Sequence, residues 1–372
     1  MKKSICLLMS VLISAAMLAG CGQASQATAP DEQVQAAPSA AAENKEPAAP
    51  EADAASEAAP AEVVAAPADK RFSDVSIVFF PGGSEGDSFA TVVYNGAVAA
   101  AEDMGCKVDY MWSGWQPDKM VSQFKNAIAQ KPTAICIMGH PGDAAFAPLV
   151  DEARAAGIIV TSQNSPLPTI EDKYKADGFG YVGQELYASG QMLAKAAMDR
   201  SGAKSGDKAI VWGLLGQEGR GQRTAGVKDT FEKAGLTVAY YEISDAVNAD
   251  ASQGTSVFTG FMAANPDAKI VVTDHGALTS TVGTYLSAAG KQPGDVYAAG
   301  FDLSSASVDA INSGYLGCIL DQQPWLQGYL PVVQVCLAAK FGFAGLHIDT
   351  GASIIDKNNI GVVAPLAQQG IR

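Results

Sequence analysis

The sequence predicts an α/β protein with two doubly wound lobes, each a parallel sheet covered by helices on both faces. Three observations lead to this fold class. Short apolar runs alternate with helical patterns from about residue 74 onward, an order that is typical of parallel sheets. The alternation forms two series, the second of which begins at Ala209. With 372 residues, 48% of them hydrophobic, the chain is also longer than one compact core usually extends.

The first series is a strand followed by a helix, repeated four times. Its opening strand, Val75 to Phe80, ends at Pro81-Gly82-Gly83, and small and apolar residues at helical spacing follow from Ser88 to Met104. The further elements predicted in this series are strands at 107–112, 134–138 and 157–161 and helices at 117–130, 143–156 and 183–200.

The second series repeats the same alternation. Its predicted strands are 209–212, 237–242, 269–273, 296–299 and 316–321, and its predicted helices are 222–234, 252–264, 277–289, 304–312 and 325–340. No self-similar period of about 20 to 50 residues is visible, which argues against a solenoid.

The amino terminus has the pattern of an export signal, predicted to be residues 1–20. Lys2 and Lys3 precede an apolar stretch from Ile5 to Leu18, and small residues follow at Ala19 and Gly20. The ending Leu-Ala-Gly-Cys resembles a lipobox, the bacterial lipoprotein signal, which implies that Cys21 is lipidated and becomes the first mature residue. The alternative is an ordinary signal peptide followed by an incidental cysteine.

Residues 21–70 are predicted to be the lipidated cysteine and a disordered tether. Residues 22–70 contain 19 Ala and 6 Pro among 49 positions, with nine acidic residues, two lysines and no aromatic residue. This composition has too little apolar bulk to offset the entropy of ordering. Proline and like charges extend such a chain, so we expect the tether to hold the body away from a membrane.

Charge and cysteine usage exclude several functions. The formal net charge of -14 and a pI near 4.6 argue against a nucleic-acid partner. The cysteines of the body show neither CxxC spacing nor the pattern of a disulfide framework, which argues against a metal centre and a disulfide-stabilised fold. They are Cys106, Cys136, Cys318 and Cys336.

Catalytic and cofactor motifs are missing from the sequence. There is no GxSxG, HExxH or GxxxxGK[ST] motif, and Gly219 to Thr224 departs from GxGxxG at its last position. His140, His275 and His347 are not at metal-ligand spacing, so we interpret the first two as polar pocket residues. The sequence therefore predicts no enzyme, no metal and no cofactor.

The loops that leave the predicted strands carry planar polar groups and large aromatic residues. In parallel α/β sheets, ligands bind at these carboxyl-terminal loops. Amides, carboxylates and guanidinium groups suit the hydroxyls of a sugar, and aromatic rings cover its C–H faces. The loops in question contain Ser84 to Phe89, Trp112 to Trp115, Gly139 to Pro141, Gln163-Asn164, Gln217 to Arg223, Asp274-His275, Phe301-Asp302 and Asp321 to Trp325.

Several of these segments occur in the order and spacing of a known family. They are Asp87-Ser88-Phe89-Ala90, Arg223-Thr224-Ala225-Gly226, Asp274-His275 (where the family has Asn-Asp), Gly300-Phe301-Asp302, Asp321 to Tyr329, and Tyr181 to Gln184, which resembles the start of the second-lobe helix. Over residues 74 to 365 the chain resembles the type I periplasmic sugar-binding proteins, the ribose-binding-like receptors of ABC importers.

This resemblance implies two Rossmann-like lobes joined by a three-strand hinge, with connections near residues 164, 323 and 350. Lobe 1 would comprise 71–163 and about 324–349, and lobe 2 would comprise 164–323 and about 350–372. The ligand contacts expected from it are Phe89, Asn164, Arg223, Asp302 and Gln322, followed by Asp274, His140, Trp115 and Trp325.

The function it implies is capture of a monosaccharide or polyol by a monomeric lipoprotein outside the cytoplasmic membrane, for delivery to an ABC permease. Gene regulators of the lactose-repressor type share this body, but they begin with a basic helix-turn-helix. This chain instead has an export signal and an acidic tether before residue 70. The alternative function is a ligand-sensing subunit for a chemoreceptor or a histidine kinase.

Overall fold

The computed structural model describes residues 71–217, 219–351 and 353–372. The predicted signal peptide (1–20), Cys21 and the tether (21–70) lie outside this part of the chain. The strands, in chain order, are β1 (Ser76–Gly82), β2 (Lys107–Trp112), β3 (Ala134–Met138), β4 (Ile159–Gln163), β5 (Tyr181–Gly183), β6 (Lys208–Gly213), β7 (Thr237–Glu242), β8 (Ala268–Thr273), β9 (Tyr297–Phe301), β10 (Cys318–Asp321), β11 (His347–Asp349) and β12 (Ser353–Asp356).

The helices alternate with these strands as the sequence pattern predicts. They are α1 (Ser88–Met104), α2 (Pro117–Gln130), α3 (Asp143–Ala155), α4 (Pro168–Tyr174), α5 (Leu186–Ser201), α6 (Gln222–Lys233), α7 (Asp245–Ala249), α8 (Gly254–Ala264), α9 (Gly276–Ala288), α10 (Ser305–Ser313), α11 (Pro324–Phe341) and α12 (Ile360–Gln368). Within the described ranges, no helix combines the length and apolar character needed to cross a membrane.

Two six-stranded sheets organise the chain into two lobes. The sheet of lobe 1 has the order β11-β5-β4-β3-β1-β2, and the sheet of lobe 2 has the order β12-β10-β9-β8-β6-β7. All neighbours pair in parallel except β12, which runs antiparallel to β10. The two orders match position by position, so both lobes present the carboxyl ends of their parallel strands at the same relative place.

Each sheet is buried on both faces because successive strand residues point to opposite sides. In β1, Ile77 and Phe79 pack with residues of α1 and α11, whereas Val78 and Phe80 pack with residues of α2 and α3. In lobe 2, α5 and α6 cover one face of the sheet, and α8, α9, α10 and α12 cover the other. This three-layer arrangement confirms the predicted doubly wound fold class.

One pair of helices in each lobe crosses at glycine. A Cβ added at Gly96 of α1 would overlap the Trp325 carbonyl of α11, and one at Gly328 would overlap the backbone of α1. Lobe 2 repeats the device, since Gly190 of α5 lies against the Arg223 carbonyl of α6, and Gly226 of α6 lies against α5. Glycine thus allows the first turn of α6 to be held directly against α5.

The chain passes between the lobes three times, but the first passage is not where the sequence analysis put it. Residues 164–183, assigned there to lobe 2, form α4 and β5 and complete the sheet of lobe 1. The passages lie at 184–185, 322–323 and 350–351. The resemblance implied a connection near residue 164, but α4 and β5 still belong to lobe 1. Periodicity could not have corrected this, because a three-residue strand is too short to show a period of its own. Tyr181 to Gly183, which resemble the start of a lobe 2 helix in the sequence, form the strand β5 of lobe 1, and the helix α5 begins only at Leu186.

Candidate functional site

A pocket with about 550 Å³ of empty space lies between the lobes, at the carboxyl ends of both sheets. The lobes also touch beside it, because α1 contacts α9 and Asn95 Nδ2 donates to the carbonyl of Gly370 at 3.3 Å. The structure is therefore a closed form. The residues that line the pocket are Asp87, Ser88, Phe89, Trp115, His140, Asn164, Leu214, Gln217, Arg220, Arg223, Asn248, His275, Gly276, Ala277, Asp302 and Gln322.

Lobe 1 contributes an aromatic wall that its neighbours hold in place. The Trp115 indole Nε1 donates to Asp87 Oδ2 at 2.9 Å, and its ring stacks on His140 with centroids 5.2 Å apart. Phe89 packs at an angle against the same indole, at 5.9 Å. Beneath it, a Cβ added at Gly83 would lie 2.9 Å from the indole nitrogen. The loop after β1 therefore has room for the ring only because this position is glycine.

A network of side-chain amides joins the lobes at the back of the pocket, next to the hinge. Asn164 Nδ2 donates to Gln322 Oε1 at 3.2 Å and to Gln327 Oε1 at 3.0 Å, while its Oδ1 accepts from His140 Nε2 at 2.6 Å. Gln322 in turn donates to Asp302. Each of these buried groups is satisfied by another, which fixes their orientation.

Two arginines of lobe 2 share one buried carboxylate. Asp274 lies 2.7 Å from Arg220 Nη1 and 3.2 Å from Arg223 Nη2, and it accepts from the Thr224 hydroxyl at 2.7 Å. The Arg223 guanidinium also lies 4.2 Å above the centre of the Phe301 ring, a cation–π contact. These contacts hold both guanidinium groups at the pocket surface.

At neutral pH the two histidines of the pocket are uncharged, and its two arginines are paired with a carboxylate. Burial is the main reason why the pKa values of His140 and His275 fall to about 3, and the positive charge of the nearby arginines lowers them further. Both rings are therefore neutral. Burial lowers the pKa of Arg220 to about 10, which leaves it charged. Burial alone would raise the pKa of Asp274, but the two arginines hold it below its usual value. For Asp302, burial prevails and raises the pKa. Arg220 and Arg223 thus face Asp274 and Asp302, and Asp87 of lobe 1 adds a third carboxylate, which accepts from the Trp115 indole. The pocket therefore has no surplus of positive charge for an anionic ligand.

The backbone is also unusual where the pocket is built. Among the described residues, five that are not glycine have positive φ, and three of these line the pocket: Trp115 (60°), Asn164 (66°) and Asp302 (73°). Such conformations cost free energy and are retained where the surrounding structure demands them. Asn164 and Asp302 directly follow the strands β4 and β9, and Trp115 lies in the loop after β2.

Seven of the nine predicted contacts lie at the pocket, namely Phe89, Trp115, His140, Asn164, Arg223, Asp302 and Gln322. The structure places the other two elsewhere. Trp325 stacks on Tyr329 at 4.7 Å and packs with α1, because it lies on the helix that covers the sheet of lobe 1. Asp274 is buried behind the two arginines and positions them rather than lining the pocket.

Sequence reasoning placed Asp87, Gln217 and Arg220 in candidate ligand-binding loops without naming them as contacts, and it missed Leu214 and Asn248. All five line the pocket. Arg220 precedes Arg223 by three residues at a strand exit, a spacing that could have revealed it. Asn248 lies on the five-residue helix α7, which no periodic pattern marks. In the part of the chain that the structure describes, no three His, Cys, Asp or Glu residues are arranged to hold a metal ion.

The fold and the pocket define a two-lobed binding protein that encloses its ligand. A family model described as "Periplasmic binding protein domain" matches residues 77–342. The chain belongs to this periplasmic binding protein family, which confirms the resemblance to the type I sugar-binding receptors at the level of the family and places the chain outside the cytoplasm. Family membership favours a binding protein over an enzyme.

Two curated relatives carry sugar names. The chain is 30% identical over 267 residues to a xylose/arabinose-binding protein of Sulfolobus acidocaldarius. The aligned residues cover 68% of this chain and 64% of that protein. It is also 25% identical over 184 residues to a D-ribose/D-allose-binding protein of Pseudomonas aeruginosa. This second alignment covers 49% of this chain and 56% of that protein. The chain thus matches less than two thirds of the length of these relatives.

Solved structures share the fold. A carbohydrate transporter from Acidothermus cellulolyticus in complex with myo-inositol has a TM-score of 0.68 and 24% identity, covering 80% of this chain and 99% of that one. An ABC transporter solute-binding protein from Burkholderia graminis in complex with D-arabinose also has a TM-score of 0.68, with 22% identity, covering 77% of this chain and 96% of that one.

Proposed function

We propose that this protein captures a neutral monosaccharide between its lobes and delivers it to an ABC permease in the cytoplasmic membrane. The observation that carries the proposal is the pocket itself, in which aromatic rings, paired arginines and other polar groups meet at the carboxyl ends of both sheets. Phe89 and Trp115 offer ring faces to C–H groups, and Arg223 and Asp302 offer hydrogen bonds to hydroxyls. The second lone pair of Asn164 Oδ1 is a further acceptor. The sugar names of the two curated relatives support this choice of ligand.

Closure links ligand capture to delivery. A ligand that touches both lobes stabilises the closed form by its differential affinity for that form. Gln322 of the second chain passage and the amide network around Asn164 lie at the edge of the pocket, so a bound sugar and the hinge share neighbours. We propose that the permease recognises this closed, monomeric form.

The substrate is tested by a thermal-shift screen of the full chain, refolded from denaturant to remove carried-over ligand, against monosaccharides, polyols, nucleosides and amino acids. A ligand at a hundredfold its Kd adds about 2.7 kcal/mol to the free energy of unfolding. A shift with one pentose or hexose supports the proposal. A shift with a nucleoside or an amino acid and with no sugar contradicts it.

Delivery is tested by uptake of the labelled sugar in cells that lack the gene. Loss of uptake, restored by the gene on a plasmid, supports import. Normal uptake together with a lost behavioural or transcriptional response to the sugar contradicts import and favours a sensor.

We also propose that residues 1–20 are removed as a signal peptide and that Cys21 carries a lipid, with residues 21–70 as the tether. The Leu-Ala-Gly-Cys sequence supports this assignment. In cells fed labelled palmitate, the wild-type chain should incorporate label and sediment with membranes, whereas Cys21→Ala should do neither. Label retained by Cys21→Ala would place the lipid elsewhere.

A further inference from the structure

The polar groups of the pocket form two sets that differ in their partners. Near the hinge, Asn164, Gln322 and Asp302 are held by one another. In contrast, the side-chain amides of Gln217 and Asn248 have no hydrogen-bond partner among the described residues, and His275 Nε2 is buried without one. The second set is therefore free to bind a ligand.

The topology of lobe 2 puts this second set together, away from the hinge. Gln217, Asn248 and His275 follow β6, β7 and β8, which are adjacent in the sheet at the end farthest from β12 and β10. The corresponding outer strands of lobe 1, β1 and β2, lead to Phe89 and Trp115. The outer end of the pocket thus combines unpartnered amides with apolar surface.

The chemistry of this end distinguishes a hydroxyl group from an anion. An amide and a neutral imidazole each donate and accept, as a hydroxyl does, whereas a carboxylate only accepts. Arg220, the nearby cation, is already paired with Asp274 at 2.7 Å. Leu214, which is buried at the pocket wall, provides apolar contact for a methylene.

We propose that Gln217, Asn248 and His275 form a subsite for the exocyclic hydroxymethyl group of a hexopyranose. The proposal rests on the proposed function, since it concerns one end of the same pocket. The ring hydroxyls then face the hinge-side set, and the hydroxymethyl group points to the outer end. The protein accordingly selects hexoses over the pentoses and deoxy sugars that have the same ring.

Titration calorimetry on the full chain with two matched series tests the subsite. The galacto series is L-arabinose, D-fucose, D-galactose and D-galacturonate, and the gluco series is D-xylose, 6-deoxy-D-glucose, D-glucose and D-glucuronate. Within a series only the exocyclic group changes, from hydrogen to methyl, hydroxymethyl and carboxylate. In the series that binds, the hydroxymethyl sugar should bind about tenfold tighter than the other three, the effect of one or two hydrogen bonds.

The variant Asn248→Leu, which keeps the number and branching of the side-chain heavy atoms, should bring the hydroxymethyl and methyl sugars to within about threefold of each other. The matched control is Asn312→Leu, at an exposed position of α10, which should keep the full preference. Equal affinities within a series, a tighter carboxylate sugar, or a preference that survives in Asn248→Leu each overturn the subsite alone. If no member of either series binds, capture of these sugars is itself wrong and the subsite fails with it.

Discussion

Arg223 is a single side chain with two tasks. It lines the pocket and it neutralises the buried Asp274. Arg223→Ala should weaken binding of the sugar found in the screen by about 1.5 to 3 kcal/mol, the size of a hydrogen bond to a charged group. Calorimetry measures this loss, and circular dichroism checks that the variant folds. An unchanged Kd would remove Arg223 from the ligand contacts.

Gly83 controls where Trp115 lies. Its added Cβ would lie 2.9 Å from both Asp87 Cγ and the indole nitrogen, so Gly83→Ala should displace the indole and lower stability by about 1 to 3 kcal/mol. Sugar affinity should fall as well, measured by calorimetry. In a Trp115→Phe background, which lacks that nitrogen, the same substitution should cost less. Equal costs in both backgrounds would show that the two residues are not coupled.

At this scale, the sequence predicts those pocket residues that directly follow strands, because strand ends converge in a parallel sheet. It cannot separate a side chain that faces the pocket from one that lies behind it. Asp274 directly follows a predicted strand and Trp325 begins a predicted helix, yet the first is covered by arginines and the second faces lobe 1 rather than the pocket. That distinction depends on packing between elements distant in sequence.

Among the elements, the α5–α6 pair connects the packing of lobe 2 to the pocket. Gly190 lies against the Arg223 carbonyl, so Gly190→Ala should push the first turn of α6 away. We expect a loss of about 1 to 3 kcal/mol of stability from overpacking and weaker sugar binding. Thermal denaturation and calorimetry measure the two effects.

The control is Gly260→Ala within α8, where an added Cβ meets no atom within 4 Å. This variant should be stabilised, by up to about 1 kcal/mol, because alanine favours a helix interior. If Gly190→Ala behaved like Gly260→Ala, the close crossing of α5 and α6 would not govern the position of Arg223.

Long elements could be predicted from the sequence nearly to the residue. Strands 107–112 and 134–138 and helices 88–104 and 117–130 coincide with β2, β3, α1 and α2, because each contains enough residues to display its period. The strands β5, β11 and β12 contain three or four residues. These short strands form because they pair with a neighbouring strand of the sheet, and a pairing between distant segments leaves no pattern in the local sequence.

In the molecule as a whole, His347 ties lobe 1 to the first passage between the lobes. Its Nδ1 lies 2.8 Å from Glu171 of α4, and its Nε2 lies 2.5 Å from Glu185, which follows β5. Partial burial by itself would lower the pKa of His347, but the two carboxylates raise it above its usual value of 6.5. Lys175, 3.6 Å from Glu171, and Asp349 complete the charged surroundings.

Because the folded protein holds this proton more tightly than the unfolded chain, the contribution to stability is complete below about pH 6.5 and is lost as pH rises through the higher folded pKa. His347→Gln should therefore lower stability most at about pH 6, by no more than about 1 kcal/mol since the group is partly exposed. Urea unfolding from about pH 6 to 9 measures this, with Asn312→Leu as control. A difference that grows with pH would contradict the assignment.

The three passages between the lobes also set the order in which the molecule can be completed. Lobe 1 needs α11 and β11, which come after the whole series of strands β6 to β10. One contact of this late helix, Tyr329 to Asp103, closes a separation of 226 residues. Contacts so distant in sequence form slowly. A nascent chain therefore cannot bury the face of α1 that packs on α11 until its last segment has been made, so lobe 1 stays incomplete while the strands of lobe 2 are being synthesised.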